Sequence, residues 1–99
     1  GHAAAAARAE AMLRYIAGTA GEDRAYCADA PATEAAKASG KLAVLSAVEN
    51  GYAMGEDLSL LAHWKRLGAI YLTLTHNGHN LLADSAIPRK DLGDGAERH

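Results

Sequence analysis

Apolar and polar positions follow a helical spacing in two stretches of this chain and a strand-like run in two others. Residues 3–17 are rich in Ala, with Arg8, Glu10, Met12, Leu13 and Arg14 among them, all good helix formers. Met12, Leu13 and Ile16 make a narrow apolar stripe with Tyr15 beside it, and Gly18 and Gly21 end the pattern. A helix is expected over 3–17. Residues 18–31 read as a loop closed by Pro31. Thr33 then suits the cap of a short helix through Ala38, stopped by Gly40.

The run Leu42-Ala43-Val44-Leu45-Ser46-Ala47-Val48 is short, nearly all apolar, and bounded by Gly40 and Glu49-Asn50-Gly51. It predicts one strand buried on both faces, as in a parallel sheet. Asn50-Gly51 alone would suit a hairpin turn, but no partner strand follows at once. A helical pattern follows instead. Glu56 and Asp57 stand at its start and Lys65 and Arg66 at its end, the order that suits a helix dipole. Leu58, Leu60, Leu61, Trp64 and Leu67 supply its apolar face, and Gly68 stops it, which predicts a helix over 56–67. Residues 69–75, Ala-Ile-Tyr-Leu-Thr-Leu-Thr, read as a strand by their β-branched and aromatic content. Residues 42–75 thus form one βαβ unit, expected to cross over in the right-handed sense. Residues 76–99 have no sustained period and read as a long loop, a length that is usually functional or incomplete. No internal repeat is present.

Composition narrows the picture. A chain of 99 residues suits a single small α/β domain spanning 1–99. Much of its apolar content is Ala, with one Trp and no Phe, so its core is weaker than the apolar fraction suggests. A domain this small buries only about 60–70% of its unfolded surface. Net charge is −2, from ten basic and twelve acidic residues that are interspersed. That gives no basic stripe for nucleic acid and no acidic tail. No apolar run approaches the roughly 20 residues that cross a bilayer, and no signal-peptide pattern opens the chain. Gly1-His2 without a methionine is expected of a processed, tagged or excised chain. Cys27 is the single cysteine, so no disulfide can form within the chain.

Two positions carry candidate chemistry. Glu49 directly follows the first strand and His76 directly follows the second. In a parallel sheet both ends lie on one edge, where α/β proteins keep their chemistry. Taken singly, Glu49 is more often a solvated loop acid than a metal ligand or base, and His76 more often a loop histidine bonded to backbone than a functional imidazole. His76 and His79 have a metal-pair spacing for a helix, but Asn77-Gly78 argues for a turn. His63 reads as a boundary residue and Cys27 as structural. The glycines form neither a dinucleotide fingerprint nor a P-loop.

The segment Ala43 to Ser85, containing VENGYAMGEDLSLLAHWKRLGAIYLTLTHNGHNLLADS, resembles the membrane (renal) dipeptidase family of zinc peptidases. The shared features are the Val-Glu-Asn-Gly stretch, the Leu-bearing helix ending in Leu-Gly, the Tyr-Leu-Thr-Leu-Thr-His-Asn strand end and the Ala-Asp-Ser loop. Glu49 precedes His76 by 27 positions, as the family does. The resemblance implies a partial (β/α)8 TIM-barrel-like fold with a preceding helical region. It implies hydrolysis of dipeptides by water activated at two zinc ions. Glu49 matches the carboxylate that bridges both metals, and His76 matches the histidine that contacts substrate and tetrahedral intermediate. The family's His-x-Asp pair is absent, and two further ligand histidines would lie past residue 99. The chain therefore reads as an inactive fragment of such an enzyme that does not hold zinc stably alone. The alternative is a non-catalytic α/β module.

Two predicted barrel strands leave sheet edges and apolar faces uncovered. Sedimentation should therefore show self-association, or packing with missing barrel segments when these are supplied. A monomer with a sharp two-state melt would contradict this.

Overall fold

The computed structural model describes residues 1–94 and 99. Helix α1 spans His2–Ala17 and is closed by Gly18, whose N–H donates to the Arg14 carbonyl at 3.0 Å. Its packed face differs from the expected stripe. Leu13 is buried and Ala5, Ala6 and Ala9 pack toward the core, while Met12 and Tyr15 are exposed. Small residues at helical spacing let the helix approach closely, which a search for large side chains overlooks.

The expected loop over 18–31 contains a strand, β1 (Arg24–Tyr26). Three residues are too few to show a period, and a distant partner sets the pairing. Helix α2 (Ala30–Ala38) begins earlier than expected. Its cap is Asp29, whose Oδ1 accepts from the Ala32 N–H at 2.8 Å, and Pro31 sits in its first turn. Proline is tolerated there because those N–H groups lack helical partners. Thr33 lies inside the helix, its hydroxyl donating to the Asp29 carbonyl.

The single strand expected over 42–48 is two strands, β2 (Leu42–Val44) and β3 (Ser46–Val48), which break at Leu45 and enter different sheets. β2 pairs in parallel with β1, Arg24 opposite Leu42 and Tyr26 opposite Val44. β3 pairs in parallel with β4 (Ala69–Leu72), with a register irregularity between the Ser46–Ala69 and Val48–Leu72 pairs. In β3, Ser46 and Val48 are buried and Ala47 is exposed, so it is covered on one face rather than both.

A 3₁₀ turn at Gly51–Met54 leads to helix α3 (Ser59–Arg66), shorter than the expected 56–67. Asp57 stays outside it, accepting from the Ser59 N–H and hydroxyl. β4 stops at Leu72 rather than Thr75. Residues 73–94 form turns without helix or strand; of the expected 76–99 loop, 95–98 lie outside the described residues.

Two parallel βαβ units result, β1–α2–β2 and β3–α3–β4, where one was expected. Mixed α/β content is present, but the two sheets have two strands each and the described residues form no barrel. The core joins Leu13, Val48, Ala53, Met54 and Trp64. The Tyr26 hydroxyl links the two units by donating to the Leu67 carbonyl at 2.9 Å, at the end of α3. Gly68 follows at φ +102, and a side chain there would strike the Tyr26 ring. Glu10 bridges α1 to α3 through His63 at 3.1 Å. Arg14 foremost, then His63, holds the Glu10 carboxyl below its ordinary value. The Cα radius of gyration is 15.6 Å, against about 13 Å for a compact domain of this size. Leu42 and Tyr71 remain 64% and 60% exposed. No helix among the described residues is long and apolar enough to cross a membrane.

Trp64 is 2% exposed, and its indole N–H has no partner among the described residues. Trp64→Ala should cost about 3–5 kcal/mol by cavity formation. Trp64→Phe should cost clearly less, since it keeps a ring and removes an unpaired donor. Urea denaturation followed by far-UV circular dichroism separates the two; equal losses would contradict this packing.

Candidate functional site

The parallel pairing of β3 with β4 brings both C-terminal strand ends to one edge. Hydrogen bonding continues beyond the strands. The Thr73 N–H donates to the Val48 carbonyl at 3.1 Å, and the Gly51 N–H donates to the Leu74 carbonyl at 3.2 Å. Between these, the Asn50 N–H donates to the Thr73 hydroxyl oxygen at 2.8 Å. Glu49 and His76 are carried on the two laced ends. Glu49 Oε1 stands 3.7 Å from His76 Nε2, with the side chains 73% and 56% exposed respectively.

That distance exceeds a hydrogen bond, and an ion pair this exposed contributes only about 0–1 kcal/mol. Their mutual attraction is too weak to set the spacing; the hydrogen-bonded segments that carry them bring the two residues together. The result is a solvent-facing carboxylate beside an imidazole. The first can ligate a cation or accept a proton, and the second can donate to developing negative charge.

The neighbouring loop is built from residues that composition and periodicity did not single out. Asn80 is buried and hydrogen bonds to Asn50, Leu74, Leu82 and Ala83. The Ser85 hydroxyl donates to the His76 carbonyl in a close contact and accepts from the Ile87 N–H at 3.0 Å. Asn50 has φ +79, a left-handed value that is uncommon outside glycine but that Asn tolerates. The Asn50-Gly51 turn signal was legible; the loop's long-range partners had no local signal.

His79 does not join His76 as a metal pair. Its ring is buried, with Nδ1 accepting from the Ser85 N–H at 2.9 Å and lying 3.7 Å from Asp84 Oδ1. Cys27 is buried, its thiol directed at the Ala25 carbonyl. His63 faces Glu10. Among the described residues no three His, Cys, Asp or Glu side chains are grouped to hold a metal ion. Structural and catalytic zinc sites take three or four protein donors each, so Glu49 and His76 do not form a complete centre by themselves.

The family model described as membrane dipeptidase (peptidase family M19) matches residues 5–98. No solved structure matches the chain.

Gly51 sits where a Cβ would lie 2.6 Å from Leu82 Cδ1 and 2.8 Å from the Leu74 carbonyl oxygen. Gly51→Ala should therefore destabilise the chain by about 1–3 kcal/mol, the range for overpacking. Gly21→Ala, which meets nothing closer than 3.9 Å, is the control. Urea denaturation of both variants is the measurement, and equal stability would contradict the close approach.

Proposed function

The chain belongs to the membrane dipeptidase family, and on that premise we propose that it carries part of a site that hydrolyses dipeptides. Glu49 is the metal-ligating carboxylate of that site, and His76 is its substrate contact. The observation that carries this reading is the placement of the two side chains 3.7 Å apart, Glu49 directly after β3 and His76 four residues beyond the end of the parallel β4. Both are accessible to a ligand arriving from solvent.

When bound, a dinuclear zinc centre would supply a hydroxide nucleophile at neutral pH, and Glu49 would be one of the residues holding it. The described residues contribute one donor to such a centre, Glu49, and the remaining donors come from outside this set. On this reading Glu49 and His76 need those further donors for turnover. His76 presents an imidazole whose N–H can donate to the oxygen of a carbonyl undergoing attack, where charge develops. Glu49 beside it supplies negative charge that favours a bound cation.

A second reading is favoured by the open sheet edges and by Leu42, Tyr71 and Leu74, all largely exposed. In it the chain is a non-catalytic module that covers these surfaces with copies of itself or with further barrel segments. Zinc titration distinguishes the readings, because stoichiometric tight binding by the assembled chain would mean that copies complete the site.

In the complete enzyme, Glu49→Gln should reduce bound zinc and turnover together, by metal analysis and dipeptide hydrolysis assays. His76→Ala should keep the metal and lower kcat by about 100- to 1000-fold, the loss seen on removing an oxyanion donor. Normal zinc content and turnover in Glu49→Gln would refute the assignment.

A further inference from the structure

Asn80 is buried at 1% exposure, in a loop without helix or strand. A buried primary amide is costly unless its polar atoms are paired. Here all four hydrogen-bonding positions are filled. Nδ2 donates to Asn50 Oδ1 at 3.1 Å and to the Leu74 carbonyl at 2.8 Å. Oδ1 accepts from the Leu82 N–H at 2.9 Å and the Ala83 N–H at 3.1 Å. An asparagine amide has two donors and two acceptor lone pairs, so nothing is left over. The reversed amide would set donor against donor and acceptor against acceptor, which fixes its orientation.

The partners of Asn80 flank the two candidate site residues. Asn50 follows Glu49, and Leu74 lies two positions before His76. Asn50 is held at φ +79, with its Oδ1 also accepting from the Tyr52 N–H at 3.1 Å. The Leu74 carbonyl receives both Asn80 and the Gly51 N–H. One amide therefore ties the turn after β3, the segment after β4 and the following loop to a single point.

We infer that Asn80 is a positioning residue that sets the Glu49–His76 spacing by clamping Asn50 to the Leu74 carbonyl. It acts through the backbone flanking the pair. Its significance for hydrolysis rests on the reading of Glu49 and His76 proposed above; the clamp itself does not.

Asn80→Asp separates the two halves of the clamp. The carboxylate still accepts from Leu82 and Ala83 but loses both donors toward Asn50 and Leu74. The primary readout is the nuclear Overhauser contact between the Glu49 side-chain methylenes and the His76 ring in the full chain. It should be present in the wild type and lost in Asn80→Asp, while contacts across the Ser46–Ala69 pair persist. Asn50→Gly is the second variant. Glycine accepts the positive φ, so this change removes the Oδ1 acceptor without adding strain, and it should weaken the same contact. An unchanged Glu49–His76 contact in Asn80→Asp, or in Asn50→Gly if the first variant does not fold, overturns the inference. In the complete enzyme, Asn80→Asp should lower kcat by about 10- to 100-fold with KM and zinc content little changed, the scale of a lost outer-shell partner. Loss of the contact with unchanged kcat upholds the clamp and counts instead against the catalytic reading of the pair.

Discussion

The parallel pairing of β3 with β4 sets the edge on which the candidate site stands. Both strands are short, and their ladder is irregular between Ser46 and Val48. Such a pair would be weak if it ended where the strands end. It is extended by hydrogen bonds from Thr73, Asn50 and Gly51, which hold the chain for several residues beyond the sheet. Buried backbone groups must find partners, and here those partners lie across the strand-end edge. The candidate site consequently takes its geometry from hydrogen bonds across that edge, main-chain bonds together with those of the Thr73 hydroxyl and the Asn80 amide.

The core is small and one-sided. Trp64 from α3, Val48 from β3, Met54 from the 3₁₀ turn and Leu13 from α1 meet in one cluster. Much of the remaining packing is done by Ala, which permits close approach but buries little area. Large apolar side chains on β2 and β4 stay in contact with water, and the molecule extends 49 Å along its longest axis. Burial in this chain is therefore concentrated around the β3–α3–β4 unit that carries Glu49 and His76.

Of the buried polar residues described, Ser46 lies in β3 and the other two lie in one loop. Asn80 and His79 are both buried in the loop after β4, and each is engaged by the backbone around it. A loop without helix or strand can be ordered in this way because side-chain amides and imidazoles replace the missing ladder. The same bonds explain why His79 and His76, three positions apart, have different surroundings. His79 points into the loop's own hydrogen bonds, whereas His76 faces solvent across from Glu49.

Local signals in the sequence were sufficient for the α/β class, α1, the α3 pattern around Trp64, and the order acid-after-strand, histidine-after-strand. The resemblance carried by residues 43–85 gave the family, which the match over 5–98 bears out. What was not legible follows from partners distant in sequence. β1 is too short to show a period and exists by pairing with β2. Leu42 to Val48 looks continuous because neither apolarity nor β propensity encodes the change of sheet at Leu45. Which residues could form helices and strands was readable along the chain, because propensity and periodicity are local properties. That two sheets form and that Asn80 pairs with Asn50 and Leu74 emerges from the folded arrangement of distant segments. The same arrangement sets the 3.7 Å separation of Glu49 and His76, because these depend on contacts that bring distant segments together.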